Sequence, residues 1–175
     1  LDLRYRFMTG FGEMDLGVSV AQKLKADQKF GSDGVAFSVL NTSGLNTTFP
    51  TIKTTGRVNA GLKRNGWSGD VFVNYTGSYL NWGGNAGSGN SAWNVIRNGL
   101  YPVGGGQPVS SSTTVDLHVA YDFKSEGALQ GTQVFFDAAN LFDEDPPFFN
   151  GPTGYDFLSG NLLGRQVTLG VTKKW

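Results

Sequence analysis

The 175-residue chain contains no cysteine and a single histidine, His118. The first absence excludes a disulfide scaffold and a cysteine-based zinc site. The second leaves no cluster of histidines from which a metal centre could be assembled. Charge of either sign is not in excess, with 14 Lys plus Arg against 14 Asp plus Glu. No basic field therefore argues for a nucleic-acid partner, and no acidic field for a cationic one. No apolar run approaches the roughly 20 residues that a membrane-spanning helix needs. The first residues, LDLRYRFMTG, lack the pattern of a cleavable secretory leader, and they open inside a strand-like alternation without an initiator Met. That opening reads as the continuation of a longer chain. The motifs G-x-S-x-G and H-E-x-x-H are missing, so the reading is non-enzymatic and needs no cofactor or metal.

What the chain has instead is glycine (26 residues) and aromatic side chains (13%), with helical periodicity almost absent. Period-two alternation of apolar and polar residues, the mark of a strand with two unlike faces, recurs in seven runs. These run over Leu1–Phe7, Leu16–Leu24, Val58–Leu62, Val71–Tyr79, Val115–Phe123, Val134–Ala138 and Val167–Trp175. Their apolar faces are almost free of charge. The exception, Lys173, falls at a strand end, where a membrane interface tolerates it at little cost. The connections alternate in length. Residues 9–13, 64–67 and 125–130 read as tight turns, and 30–55, 83–112 and 143–164 as long loops, of a length unusual in a compact soluble domain. Phe7, Trp67, Phe123 and Trp175 fall at the short-turn end of their strands, and Tyr79, Trp82 and Phe142 at the other, as two aromatic girdles would.

These features predict an all-β fold, an antiparallel transmembrane β-barrel segment of about seven strands over residues 1–175. A soluble β-sandwich also alternates and is the competing architecture. Seven strands alone would leave unpaired edges in lipid, so the segment is expected to be the last part of a larger barrel. The segment Gly34–Leu40 (GVAFSVL) alternates weakly; as an eighth strand it would break the short–long rhythm, so it is placed in a loop.

Four stretches, VDLHVAYDF (Val115–Phe123), NLFDEDPPF (Asn140–Phe148), GYD (Gly154–Asp156) and LGRQVTLGVTKKW (Leu163–Trp175), with WSGDVFVNYTGSY (Trp67–Tyr79) upstream, resemble the C-terminal part of TonB-dependent outer-membrane receptors. The resemblance covers most of the chain and is specific in its last third. It implies a barrel of about 22 strands around an N-terminal plug, located in the bacterial outer membrane. It also implies energised import of a scarce nutrient such as a siderophore, cobalamin or a carbohydrate. The implied partners are outer-membrane lipid, the remaining strands and plug, TonB through an N-terminal part outside this sequence, and the outer-membrane assembly machinery. Gly170 and the terminal aromatic Trp175 resemble the assembly signal of such proteins, whereas Lys173 departs from its usual apolar residue. A passive pore or structural barrel without a plug is the alternative function.

Individual residues carry weaker readings. Trp82, Trp93, Arg97 and Tyr101, in or at the base of a Gly-rich loop, have the chemistry to stack on a planar chelate or a sugar face. Packing of that loop against its neighbours is the alternative. His118 is placed on the lumen side beside Asp116 and Asp122. Asp143, Glu144 and Asp145 are consecutive and followed by two prolines, unlike the spaced ligands of a calcium loop. The motif from Asn140 to Asn150 therefore reads as a strand terminator, with Phe148 and Phe149 folding the loop back onto the rim.

Overall fold

The computed structural model describes residues 1–29, 32–43, 50–81, 107–124, 127–151, 153–157 and 159–174. Twelve strands occur among them. Seven long ones form a single antiparallel sheet in sequence order: β1 (Asp2–Thr9), β2 (Gly12–Gln22), β6 (Thr54–Arg64), β7 (Trp67–Thr76), β10 (Ser112–Asp122), β11 (Thr132–Ala139) and β12 (Gln166–Lys173). Each of the seven predicted runs contributes one strand to this sheet, although Leu24, expected in the second, lies past the end of β2. Because they lie in one sheet and not two, the sandwich arrangement is not the one adopted. The sheet is open, with β1 and β12 as its edges.

Register places every apolar run on the same face. Leu16 of β2 opposes Tyr5 and Ala60, and Val18 opposes Leu3 and Val58. Val73 opposes Val58 and Val115, and Leu117 opposes Val71 and Ala138. Phe136 opposes Val119 and Leu169. A slip of one residue in any pair would move a whole run to the polar side, so this alternation and the turns specify the register together. A two-residue turn, Asn65–Gly66, joins β6 to β7, with φ of 50° and 88°. Two residues at positive φ match the right-handed twist of the flanking strands, which is why Asn-Gly recurs in hairpins. At Gly66 a Cβ would also sit 2.8 Å from the carbonyl oxygen of Asp122.

Among the described residues, no second layer lies over the apolar face. Leu3, Leu16, Val58, Val71, Val73, Leu169 and Val171 are all exposed, from 37% for Val73 to 75% for Leu169. Nearest the short turns, the Trp67 and Tyr121 rings lie 4.8 Å apart between centroids, and Tyr121 meets Phe123 edge-on at 4.9 Å. Lys173, the cation predicted on this face, turns its Nζ back to the carbonyl oxygen of Ala128 in the β10–β11 turn.

The long connections all leave from the opposite end and carry the five short strands: β3 (Asp27–Gln28), β4 (Phe37–Ser38), β5 (Thr42–Ser43), β8 (Tyr79–Asn81) and β9 (Gln107–Val109). Strands β3 and β4 pair with each other, so the weakly alternating segment around Phe37 stays outside the main sheet, as expected. Strand β8 runs parallel to β5 and antiparallel to β9. Most of the buried apolar side chains, Phe37, Val39, Ile52, Tyr79 and Val109, lie in this cap and not between sheet layers. Tyr79 is a correction to the sequence reading: it continues the phase of β7 but belongs to β8, where it is 4% exposed and no part of an exposed girdle.

Candidate functional site

The face opposite the apolar one is mostly polar, with Phe72 and Phe135 as large apolar exceptions, and is cross-braced from strand to strand. On β2, the Asp15 carboxylate accepts from Arg4 Nε at 2.9 Å, Arg6 Nε at 3.3 Å and Asn59 Nδ2 at 3.3 Å. The Arg57 guanidinium lies 4.2 Å over the centre of the Phe72 ring, a cation–π contact on an otherwise hydrophilic wall. Asn74 Nδ2 donates to Asp116 Oδ2 at 2.8 Å, while Asp116 Oδ1 accepts the backbone N–H of Asn140 at 3.0 Å. Gln133 Nε2 donates to Asp122 at 2.9 Å.

His118 shares this face with Asp116 and Asp122, as predicted. Its nearest partner is one that sequence reading missed: Nδ1 lies 2.6 Å from Asp137 Oδ1 on β11, and Asp70 of β7 stands opposite it in register. Asp137 keeps the polar phase of β11, so pairing the runs residue by residue would have found it.

Several clefts open on the polar face among the described residues, of which two concern the residues above. One of about 630 Å³, near the short turns, is walled by Glu13, Lys63, Asp70, His118, Asp122 and Lys124. The other, about 380 Å³, lies under the 140–165 connection against Asn74, Thr114, Asp116, Asn140 and Gln166. Both present alternating donors and acceptors, a surface suited to water, a polar solute or a hydrophilic protein segment.

The Asn140–Asn150 motif is a built turn. Asn140, at φ 51°, uses both ends of its amide on Glu144: Oδ1 accepts the backbone N–H at 3.0 Å, and Nδ2 donates to the carbonyl at 2.9 Å. Asp143 Oδ1 accepts the N–H of Arg165 at 2.6 Å, and Arg165 Nη1 donates to the Leu141 carbonyl at 3.3 Å, so the motif ties the end of β11 to the start of β12. Phe149 packs on the Ile52–Tyr79–Val109 cluster, as the rim reading expected, whereas Phe148 is exposed.

Trp82, Trp93, Arg97, Tyr101 and Trp175 lie outside the described residues. Gly170 falls on the polar face of β12, directly opposite Phe135, whose ring covers it. A side chain there would collide with that ring, which gives the glycine a packing reason.

Asp156, quoted in the sequence only as part of GYD, is a buried hub. Its Oδ2 accepts from Tyr79 Oη at 2.7 Å, Ser159 Oγ at 3.2 Å and Ser43 Oγ at 3.4 Å. Burial, reinforced by the adjacent carboxylate, pushes the Tyr79 phenol above the ordinary tyrosine range.

No protein-family model, curated protein or solved structure matches this chain. Its class rests on its own architecture: an all-β chain whose one large antiparallel sheet has an exposed apolar face and a hydrogen-bonded polar face, capped at one end.

Proposed function

We propose that the chain forms seven neighbouring strands in the wall of a bacterial outer-membrane β-barrel of the TonB-dependent receptor kind, an energised importer of a siderophore, cobalamin, carbohydrate or similar scarce nutrient. The observation that carries the barrel reading is the aligned, exposed apolar face across seven strands, set against a charged and cross-braced opposite face. Lipid outside and a hydrated lumen inside account for that inversion of the usual inside–outside rule. Strands β2, β6 and β10 have 11 residues and β7 has 10. Tilted strands of about 9–11 residues cross a bilayer core. The importer reading adds the family resemblance of the C-terminal motifs. The polar face and its clefts would then meet the plug and the passing ligand.

Topology also constrains what completes the wall. Each of the six pairings is antiparallel, so the edge strands β1 and β12 run in the same direction. Joining them directly, or alternating copies of this sheet in one orientation, would create parallel seams. Two inverted copies would pair antiparallel but place long connections on both sides of the membrane. A fully antiparallel barrel needs an odd number of further strands, which brings the total to the even count usual for bacterial barrels.

Uptake by cells carrying the full-length protein tests the function. The proposal expects ligand accumulation that stops when the proton gradient is collapsed or TonB is deleted. Uptake indifferent to both, together with open-channel conductance in planar bilayers, would establish a passive pore instead.

A further inference from the structure

The geometry points to one cooperatively folded cap: the described parts of the three long connections, clamped by Asp156, loosen as a unit and not loop by loop. This goes beyond the transport reading and holds for any function of the sheet.

Each connection contributes to the same small core and to the same carboxylate. From the first, between β2 and β6, Ile52 enters the cluster, Ser43 Oγ donates to Asp156, and β5 pairs with β8. The second, between β7 and β10, supplies Tyr79 and Val109 to the cluster and the 2.7 Å phenol donor to Asp156. The third, between β11 and β12, supplies Asp156 itself, Phe149 against the cluster, and the Asn150 carbonyl, which accepts from Asn81 Nδ2 at 2.9 Å. The cluster formed by the described residues draws on every connection. Ile52, Tyr79, Val109 and Phe149 come from all three, so withdrawing one removes the partner of the other two. Main-chain bonds deepen the coupling. Leu80 N donates to Asn41 O at 3.0 Å, and within the first connection Asn41 N donates to Thr51 O at 2.7 Å while Thr51 N donates to Thr42 O at 2.8 Å. A buried carboxylate with hydroxyl donors drawn from three separate segments is costly to leave half-satisfied, which penalises intermediates with one connection detached.

Hydrogen exchange by mass spectrometry on the full-length protein in lipid vesicles tests this. Wild type would be compared with Tyr79→Phe, which deletes one hydroxyl, and Phe149→Ala, which cuts the apolar link from the third connection. The expected result is that either substitution raises exchange about tenfold or more, by a common factor, in peptides covering 37–43, 79–81, 107–109 and 149–157. Peptides within 112–122 and 166–173 stay at the wild-type rate. Loosening confined to 79–81 in Tyr79→Phe and to 149–157 in Phe149→Ala would overturn the proposal, because the connections would then be independent. Exchange spreading through the sheet strands would overturn it too, since the cap would not be a unit of its own. Membrane fractionation of the same samples reports separately on the barrel reading.

Discussion

Leu117 sits at the centre of β10 on the apolar face, opposite Val71 on one side and Ala138 on the other. Replacing it with Arg puts a guanidinium at mid-height of the sheet, farthest from either end to which the side chain can reach. If lipid covers this face, the cost is about 2–4 kcal/mol. If water does, a charge in place of this half-buried aliphatic costs no more than about 1 kcal/mol, the centre of the range for single substitutions. The matched control is Thr168→Arg on the polar face, where the new cation faces Asp137 across β11 and β12. Urea titration of the full-length protein folded into vesicles reads both, as a shift of midpoint at constant slope. The expected outcome for Leu117→Arg is a fall of roughly 30- to 700-fold in the folding constant, about 1.4 kcal/mol per factor of ten. Thr168→Arg should stay near wild type. Equal losses for the two, or no loss for Leu117→Arg, would refute the assignment of this face to lipid.

Several smaller perturbations probe the devices that shape the sheet and its cap. Gly170→Ala should destabilise by about 1–3 kcal/mol through overpacking, because its Cβ meets the Phe135 ring, and Phe135→Leu in the same chain should recover most of the loss in a double-mutant cycle. Asp143→Ala removes the acceptor of the Arg165 N–H and should cost about 1–3 kcal/mol, with faster exchange of the amides that begin β12. Gly66→Val forces a β-branched residue to φ 88° and against the Asp122 carbonyl, so thermal scans should show a loss of more than about 1 kcal/mol. The cap should weaken in alkali: the Tyr79 phenol is held above its unfolded value of 10.0, so the native state retains a proton that the unfolded chain releases. That contribution is complete below about pH 10 and is lost as pH rises further; near-ultraviolet absorbance with exchange of 79–81 reads it, and Tyr79→Phe should abolish this component.

The sheet was legible because its residues obey a rule with a short range. Alternation at Leu16–Val20 or Val115–Phe123 needs only neighbouring residues to declare a strand, and Asn65–Gly66 declares its hairpin within two. The cap obeys no such rule. Strands β3, β4, β5, β8 and β9 span two or three residues each, too few to show a period, and pair only because the sheet brings their connections together. Tyr79 kept the phase of Val71, Val73 and Tyr75, so nothing local announced that the chain leaves the sheet after Thr76. The Asp156 contacts bridge 77 residues to Tyr79 and 113 to Ser43, and a carboxylate in a glycine-rich loop carries no local sign of such partners. The Asn140–Asn150 motif stands between these cases. Its prolines marked the end of a strand, whereas the bond from Arg165 N to Asp143 depends on β12 lying alongside.

The apolar face also sets the energetic scale against which the other features must be weighed. Six inter-strand spacings of roughly 4.8 Å and about 20 Å of apolar strand length give a face of roughly 600 Å². At about 25 cal/mol per Å², covering it contributes on the order of 15 kcal/mol, comparable with the entire stability of an ordinary domain. The hydrogen bonds of the Asp156 clamp each act at about a tenth of that, and the exposed salt bridges of Arg4 and Arg6 are screened by water. No described segment of the chain lies over this face, and the cap's own apolar residues are spent on the Ile52–Tyr79–Val109 cluster. What covers it must therefore come from outside the sheet. Trp67, Tyr121 and Phe123 cluster at one end of it, where Lys173 turns its charge back toward the turn carbonyl of Ala128. Amphipathic rings and a retracted cation at the margin of a charge-free band fit a boundary between hydrocarbon and water better than the flank of a second protein layer.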